Sequence, residues 1–135
     1  MKASDIRILI AERNRNIRDF LRREFTRNDF QVLSARDSAE LFDILESDNP
    51  PHVIVLDADT PNIEGGDMLA RIMAARPDIP VVVHGYNGDM PATSAGERAA
   101  GVVEKSGNPE TLTRTVRDIL RKHQPELSET QGEQE

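Results

Sequence analysis

The chain has 135 residues, 37% of them hydrophobic, so it is long enough for one domain with a sizeable core. Its 24 Asp and Glu outnumber its 17 Lys and Arg, and the formal charge of −7 argues against broad contact with a nucleic-acid backbone. Cysteine is absent, which excludes disulfides, thiolate metal sites and cysteine nucleophiles and suits a reducing compartment.

Short apolar runs rich in Ile and Val recur along the chain and have the length of β-strands. Near-continuous apolar character over such a length is typical of strands that are buried on both faces of a sheet. Five runs are predicted to be strands: residues 6–11, 30–35, 53–56, 79–83 and 101–103.

The longer segments between these runs place apolar residues at the spacing of amphipathic helices. Asp37 and Ser38 are candidate N-terminal caps of the second such helix, and Pro77 ends the third. The first three helices are predicted from these apolar positions: Ile17, Phe20, Leu21 and Phe25; Leu41, Phe42, Ile44 and Leu45; Met68, Leu69, Ile72 and Met73.

The last two predicted helices differ in the strength of their patterns. A helix around residues 91–100 is weakly indicated, because Gly96 interrupts it. The final helix has Asn108 as its N-cap and Pro109 at its first position, followed by apolar residues at Leu112, Val116, Ile119 and Leu120. After a domain of residues 1–122, the Gln- and Glu-rich residues 123–135 are expected to form a disordered tail or the start of an interdomain linker.

Strands that alternate with helices in this way predict an α/β domain with a parallel sheet and helices on both faces. Ligands of such open sheets bind beyond the carboxyl ends of the strands. The candidate functional residues are therefore those at the strand ends: Glu12 and Arg13 after the first, Asp57 after the third, Gly85 after the fourth and Lys105 after the fifth.

Asp57 and Lys105 are the most informative of these residues. A carboxylate that follows the run VIVL directly loses hydration at the edge of a buried sheet, and a lysine at another strand end could pair with it. One interpretation is a structural ion pair. The other is a nucleophilic or metal-binding carboxylate attended by a cation that binds a transferred phosphoryl group.

Over residues 5 to about 122 the chain resembles the receiver domains of bacterial two-component response regulators, the CheY-like family. The segments that carry the resemblance are RILIAERNRNIRDFL, HVIVLDADTPNIEGGDML, IPVVVHGYNGD and VVEKSGNPETL. The resemblance implies a flavodoxin-like, doubly wound sheet of five parallel strands in the order 2-1-3-4-5, within a three-layer α/β/α sandwich.

The resemblance also implies roles for the strand-end residues. Asp57 occupies the position that accepts a phosphoryl group from a histidine kinase, and Lys105 occupies the position that contacts the phosphate. Pro61 and Gly65 match the turn that follows the acceptor. Such a domain is a signalling phosphoacceptor and not an enzyme, apart from self-catalysed phosphotransfer and dephosphorylation.

The magnesium site that the resemblance implies is altered. Family members hold Mg²⁺ with two adjacent acids after the first strand, and here Glu12 occupies the first position and Arg13 the second. The implied ligands that remain are Glu12, Asp57 and the backbone carbonyl of Asp59. We expect Arg13 to lie beside Asp57, to pair with its carboxylate and to weaken Mg²⁺ binding. The alternative is that its long side chain turns out to solvent and stacks on the loop. The Asp59 carboxylate either restores part of the lost charge or is a solvated loop acid.

The conformational switch of the family is altered as well. Gly85 stands at the position of a Ser or Thr that hydrogen-bonds the phosphate, and Val102 stands at that of an aromatic residue that rotates on activation. Ser106 replaces the Pro that usually follows the lysine. We therefore expect phosphorylation to cause a smaller conformational change than in other members.

Two other families fit the same residues less well. Residues 57–60, Asp-Ala-Asp-Thr, resemble the DxD motif of haloacid-dehalogenase phosphatases, but Pro61 holds the position of their Thr or Val. A flavodoxin-like FMN binder shares the topology, but its first loop cradles phosphate with Ser, Thr and Gly, and the segment AERNRN has none of these.

Other polar residues are expected to be structural. His84, at the end of the fourth strand, is expected to be partly buried and neutral. The first helix carries arginines that form its solvated face or, alternatively, a docking surface for a partner's acidic patch: Arg15, Arg18, Arg22, Arg23 and Arg27.

Two functions of different classes remain open. Asp57 and Lys105 favour a phosphorelay receiver, whose partners are a histidine kinase or phosphotransfer protein and a downstream effector protein or C-terminal effector domain. Arg13, Gly85 and Val102 favour a pseudo-receiver that binds proteins independently of phosphorylation. Because the chain has neither a signal-peptide pattern nor an apolar run near the roughly 18 residues that span a bilayer, we expect it to be cytoplasmic and to contact neither membrane nor nucleic acid.

Overall fold

A parallel β-sheet forms the centre of the computed structural model, which describes residues 2–58, 68–86, 99–105 and 108–123. In these residues the strand order is β2-β1-β3-β4-β5, which confirms the predicted topology. The strands are β1 Arg7–Ala11, β2 Gln31–Ala35, β3 Val53–Asp57, β4 Val81–Gly85 and β5 Gly101–Glu104. The described helices are a short 3₁₀ helix at Ala3–Asp5, α1 Arg15–Arg27, α2 Ser38–Leu45, α3 Met68–Ala75 and α4 Glu110–His123.

The sheet lies between two helical layers, because successive side chains of each strand point to opposite faces. Ile8 and Ile10 of β1 belong to a core that includes the buried residues of α1 and α4. Leu9 of β1 belongs to a second core that includes those of α2 and α3. The three-layer arrangement is therefore confirmed.

Polar side chains cap the N-termini of α1, α2 and α4. The Asn14 side chain accepts a hydrogen bond from the Ile17 N–H at 3.1 Å, and Asp37 accepts one from the Glu40 N–H at 2.9 Å. Asn108 Oδ1 accepts from the Glu110 N–H at 3.0 Å at the start of α4. The predicted caps Asp37 and Asn108 are confirmed, and they orient α2 and α4.

Two strands extend further than their apolar runs indicate. β3 includes Asp57, and β4 includes His84 and Gly85. All five residues of each strand are buried. The hydrogen-bond ladder continues past the last apolar residue, so Asp57 and His84 are register partners inside the sheet. Their side chains are therefore held by strand geometry rather than by loops.

Several sequence predictions concern residues outside the described ranges. They are the turn residues Pro61 and Gly65, the Asp59 carbonyl, Ser106, most of the predicted helix at 91–100 and the tail from residue 124 onward. The last helix ends at His123, one residue beyond the predicted domain boundary. Among the described helices, none has the length and apolar character required to cross a bilayer.

Candidate functional site

Three charged side chains meet at the carboxyl edge of the sheet. Asp57 ends β3, Glu12 follows β1 and Lys105 follows β5. Lys105 Nζ lies 2.8 Å from Asp57 Oδ1 and 3.2 Å from Glu12 Oε1. The side chains are almost completely buried, with 6% of Lys105 and 3% of each carboxylate exposed. The structure thus brings together the lysine and the two acids that the sequence singled out.

Glu12 is held in a position that favours its protonated form. Its Oε2 accepts a hydrogen bond from the Asn14 N–H at 3.1 Å. Burial, together with a hydrogen bond to Asp57 and the charge of Asp57, raises the pKa of Glu12 to about 7. The buried Oε1 has no well-aligned hydrogen bond, even though Lys105 Nζ is near it. The raised pKa means that Glu12 binds a proton more readily than an exposed glutamate does.

Lys105 remains charged between the carboxylates of Glu12 and Asp57. Burial lowers the pKa of Lys105, but the hydrogen bond that Lys105 donates to Asp57 and the charges of Glu12 and Asp57 outweigh burial and hold the pKa above its ordinary value. Its backbone N–H donates to the Gly85 carbonyl at 2.7 Å, which fixes the end of β5 against β4. The ammonium group is therefore a positioned cation at the acceptor carboxylate.

His84 is buried beside this cluster. Burial, together with the charge of Lys105, lowers the pKa of His84 to about 4, although the charge of Asp57 opposes the shift. Its Nδ1 is buried without a hydrogen-bond partner. The prediction of a neutral histidine is confirmed, and the residue is more deeply buried than expected, at 5% exposure.

The prediction that Arg13 pairs with Asp57 is wrong. Arg13 is exposed, and among the described residues no ion pair joins its guanidinium to Asp57. Lys105 already pairs with the Asp57 carboxylate. The chain bends at residue 13, and the exposed Arg13 guanidinium keeps its hydration there. Arg13 does line the same cleft, so its charge lies near the site without neutralising it.

Two residues that the sequence interpretation did not place at the site help to build it. Arg18 is not merely part of a solvated face, because its guanidinium donates to the carbonyls of Glu12 and Arg13 at 3.0 and 3.4 Å. The ring of Tyr86 lies 5.2 Å from Lys105 Nζ, although 52% of the residue is exposed. Its position directly after the fourth strand is the sequence feature from which a place for Tyr86 at the site could have been predicted.

The charged cluster opens into a cleft of about 360 Å³ lined by Glu12, Arg13, Asn14, Ile17, Asp57, Tyr86 and Lys105. Two adjacent carboxylates offer the hard oxygen ligands that a divalent cation such as Mg²⁺ prefers. In the described part of the chain, no group of three metal-ligating side chains is present. A metal here would therefore depend on Glu12 and Asp57 and on further oxygen ligands from outside these side chains.

The raised pKa of Glu12 leads to a prediction for the variant Glu12→Gln. The stability that protonated Glu12 contributes is complete below its ordinary pKa of 4.5 and is lost as pH rises through about 7. The stability that His84 contributes depends on pH in the opposite direction. Neutral His84 contributes its full stability above pH 6.5, and this contribution is lost as pH falls through about 4. Gln stays uncharged, so we expect the free energy of unfolding of Glu12→Gln, relative to wild type, to rise by about 3 kcal/mol between pH 5 and pH 8.

Guanidinium denaturation at the two pH values measures this difference, and Glu104→Gln is the matched control. Glu104 is an exposed glutamate at the end of β5, so Glu104→Gln controls for the removal of a carboxylate that lies outside the buried cluster. A Glu12→Gln difference that is constant or falls with pH would contradict the assignment of a raised pKa.

Comparison with known proteins shows sequence similarity to one family. The sequence model described as "Response regulator receiver domain" matches residues 8–117. The response regulator MprA of Mycobacterium bovis (strain BCG / Pasteur 1173P2) is 30% identical over 128 residues, covering 90% of this chain and 53% of that protein. The chain therefore spans about half the length of the curated relatives that it matches.

Solved structures share the fold. The response regulator protein TrrA of Thermotoga maritima, solved in complex with Mg²⁺-BeF, has a TM-score of 0.75 at 23% identity, with 85% of this chain and 99% of that chain covered. The chemotaxis response regulator CheY4 of Vibrio cholerae has a TM-score of 0.71 at 20% identity, with 85% and 98% covered. At these sequence identities the structural similarity supports the CheY-like fold but does not assign a role to any individual residue.

Proposed function

Because this chain belongs to the family of response regulator receiver domains, we propose that Asp57 is its phosphoacceptor. As a receiver domain it is a signalling domain of a two-component system. The comparisons give no support to the alternative of a phosphorylation-independent interaction module. The observation that carries the proposal is the contact of 2.8 Å between the buried Asp57 carboxylate and the Lys105 ammonium group.

The proposed reaction is a phosphoryl transfer onto the carboxylate. An Asp57 oxygen attacks the phosphorus of a phosphohistidine, the phosphorus–nitrogen bond breaks, and its electron pair remains on the imidazole nitrogen, which takes up a proton. The product is an acyl phosphate on Asp57. Lys105 is already within hydrogen-bond distance of Asp57, so its charge offsets the negative charge that the phosphoryl oxygens bring.

Glu12 and Asp57 would hold Mg²⁺ in this reaction. Mg²⁺, when bound, supplies charge neutralisation shared between carboxylate and phosphoryl oxygens. The two neighbouring buried carboxylates support the assignment, and the raised pKa of Glu12 means that metal binding must displace a proton near neutral pH. The exposed Arg13 adds positive charge at the same cleft and weakens metal binding from a distance.

The partners follow from the family. We assign a histidine kinase or phosphotransfer protein as the phosphoryl donor, and an effector protein or an attached effector domain as the output. The second assignment rests on the greater length of relatives such as MprA. We also propose a cytoplasmic location, where such donors act.

Phosphoryl uptake from a small donor tests the proposal. The full chain is incubated with acetyl phosphate, with and without Mg²⁺, and its intact mass is measured. We expect the mass of one phosphoryl group per chain, with faster uptake in the presence of Mg²⁺. If no phosphoryl mass appears under conditions that label a known receiver domain, the interaction module becomes the better account.

We also predict that the response to phosphorylation stays local. Gly85 supplies no hydroxyl to follow the phosphoryl group, and Val102 is 51% exposed and too small to swing into the core as an aromatic residue does. On addition of beryllofluoride and Mg²⁺, amide shifts should be confined to residues around Asp57. Large shifts that reach the middle of β5 and the length of α4 would contradict this prediction.

A further inference from the structure

Tyr86 lies in the wall of the acceptor cleft, directly after β4. It is the one tyrosine of the chain, and among the described residues that line the cleft it is the one aromatic side chain. Its ring centre lies 5.2 Å from Lys105 Nζ, a distance at which an ammonium group is attracted to an aromatic face. The lysine that pairs with Asp57 therefore also stabilises the ring beside the cleft.

Tyr86 lies nearer to solvent than the acceptor does. The side chain of Asp57 is 3% exposed, whereas 52% of Tyr86 is exposed, although both residues line the same cleft. The cleft therefore has a buried end, which holds the carboxylate, and an outer part with an aromatic wall. A molecule that reaches Asp57 from solvent passes this wall.

The geometry of phosphoryl transfer determines where the leaving group of the donor lies. The attacking atom, the phosphorus and the leaving atom are roughly in line. When an Asp57 oxygen attacks from the buried end, the leaving nitrogen of a phosphohistidine points toward the outer part of the cleft. The imidazole ring of the donor therefore lies in the part of the cleft that Tyr86 lines.

We propose that Tyr86 is a specificity-determining residue for the phosphoryl donor, and that its ring contacts the imidazole of a phosphohistidine. Two aromatic rings attract each other, as an offset stack or edge to face, beyond the effect of burying their surface. A donor without a ring makes no such contact. The cleft measures about 360 Å³, and a cavity of about 150 Å³ is large enough for benzene, so an imidazole and a phosphoryl group fit in it together.

This inference rests on the proposed role of Asp57 and adds a preference among donors. N-Phosphoimidazole releases imidazole and gains the contact with Tyr86, whereas phosphoramidate releases ammonia and does not. With either donor, an Asp57 oxygen forms the new bond to phosphorus and the phosphorus–nitrogen bond breaks. Its electron pair stays on the nitrogen, which takes up a proton from water. The two donors therefore differ in the ring but not in the kind of bond that breaks.

The test compares N-phosphoimidazole and phosphoramidate as donors to the full chain. The second-order rate constant of phosphoryl uptake is measured for each donor by intact mass in the presence of Mg²⁺. In Tyr86→Ala the ratio of the phosphoimidazole constant to the phosphoramidate constant should fall roughly fivefold, because one contact between aromatic rings is lost. If Tyr86 acted only by holding Lys105, its removal would slow both donors alike and leave this ratio unchanged.

Tyr86→Phe is the matched control, because it keeps the ring and removes only the hydroxyl group, so the ratio should stay at its wild-type value. Tyr86 is half exposed, so both variants should keep the fold, which a cooperative unfolding transition checks. An unchanged ratio in Tyr86→Ala, or an equal fall in Tyr86→Phe, would overturn the role of Tyr86 while Asp57 remained the acceptor. Absence of uptake from both donors in the wild type would overturn the two proposals together.

Discussion

The variant Asp57→Asn is expected to take up no phosphoryl group from acetyl phosphate. An amide oxygen is a far weaker nucleophile than a carboxylate, and Asp57 is the carboxylate that Lys105 holds at 2.8 Å. The fold should persist, because Asn has almost the same shape and removes the repulsion between Asp57 and Glu12. Intact mass after incubation measures phosphoryl uptake, and a cooperative unfolding transition shows that the fold is retained.

Asp43→Asn provides the matched control for this prediction. Asp43 is an exposed residue of α2, remote from the charged cluster, so its substitution should leave uptake unchanged. Undiminished labelling of Asp57→Asn would show that another residue accepts the phosphoryl group.

Lys105→Met is expected to lower both phosphoryl uptake and stability. Removal of a positioned cation from the reacting oxygens should slow uptake by about 10²–10³-fold. It also leaves Asp57 buried without its ammonium partner, which should cost on the order of 3 kcal/mol of unfolding free energy at neutral pH. The cost should be smaller near pH 5, because there Glu12 is protonated and no longer adds negative charge beside Asp57.

Two further variants isolate the cause of these effects. Lys122→Met removes an exposed lysine near the end of α4 and should change neither quantity. The double variant Asp57→Asn with Lys105→Met should recover most of the lost stability, because the negative charge of Asp57 is removed together with the ammonium group that offsets it. If Lys105→Met keeps wild-type uptake, Lys105 has only a structural role.

Much of the fold could be predicted from the sequence because its periodicities are strong. The continuous Ile and Val runs indicated strands covered on both faces, and the sheet indeed lies between two cores. Asp57 and Lys105 could be found because charge at the end of a buried strand has no packing role. The strand order came from the family resemblance, since periodicity does not specify which strands are neighbours.

The details of the site were harder to predict because side-chain direction is no longer periodic once a strand ends. Glu12 turns inward and Arg13 outward at the same bend, and residue types alone do not distinguish these two conformations. Arg18 was assigned to a solvated face because helical spacing places it among other arginines. Its contact with the Glu12 carbonyl depends on how α1 approaches β1.

Chemical trapping of the phosphorylated residue tests the central claim most directly. Borohydride reduces an aspartyl phosphate to homoserine, and tandem mass spectrometry of the digested chain locates the modified residue. After incubation with acetyl phosphate and Mg²⁺, we expect homoserine at position 57 and no reduced acid elsewhere. A reduced residue at Glu12 or at any other acid, or a phosphoryl mass that borohydride does not convert, would contradict the assignment of Asp57 as the phosphoacceptor.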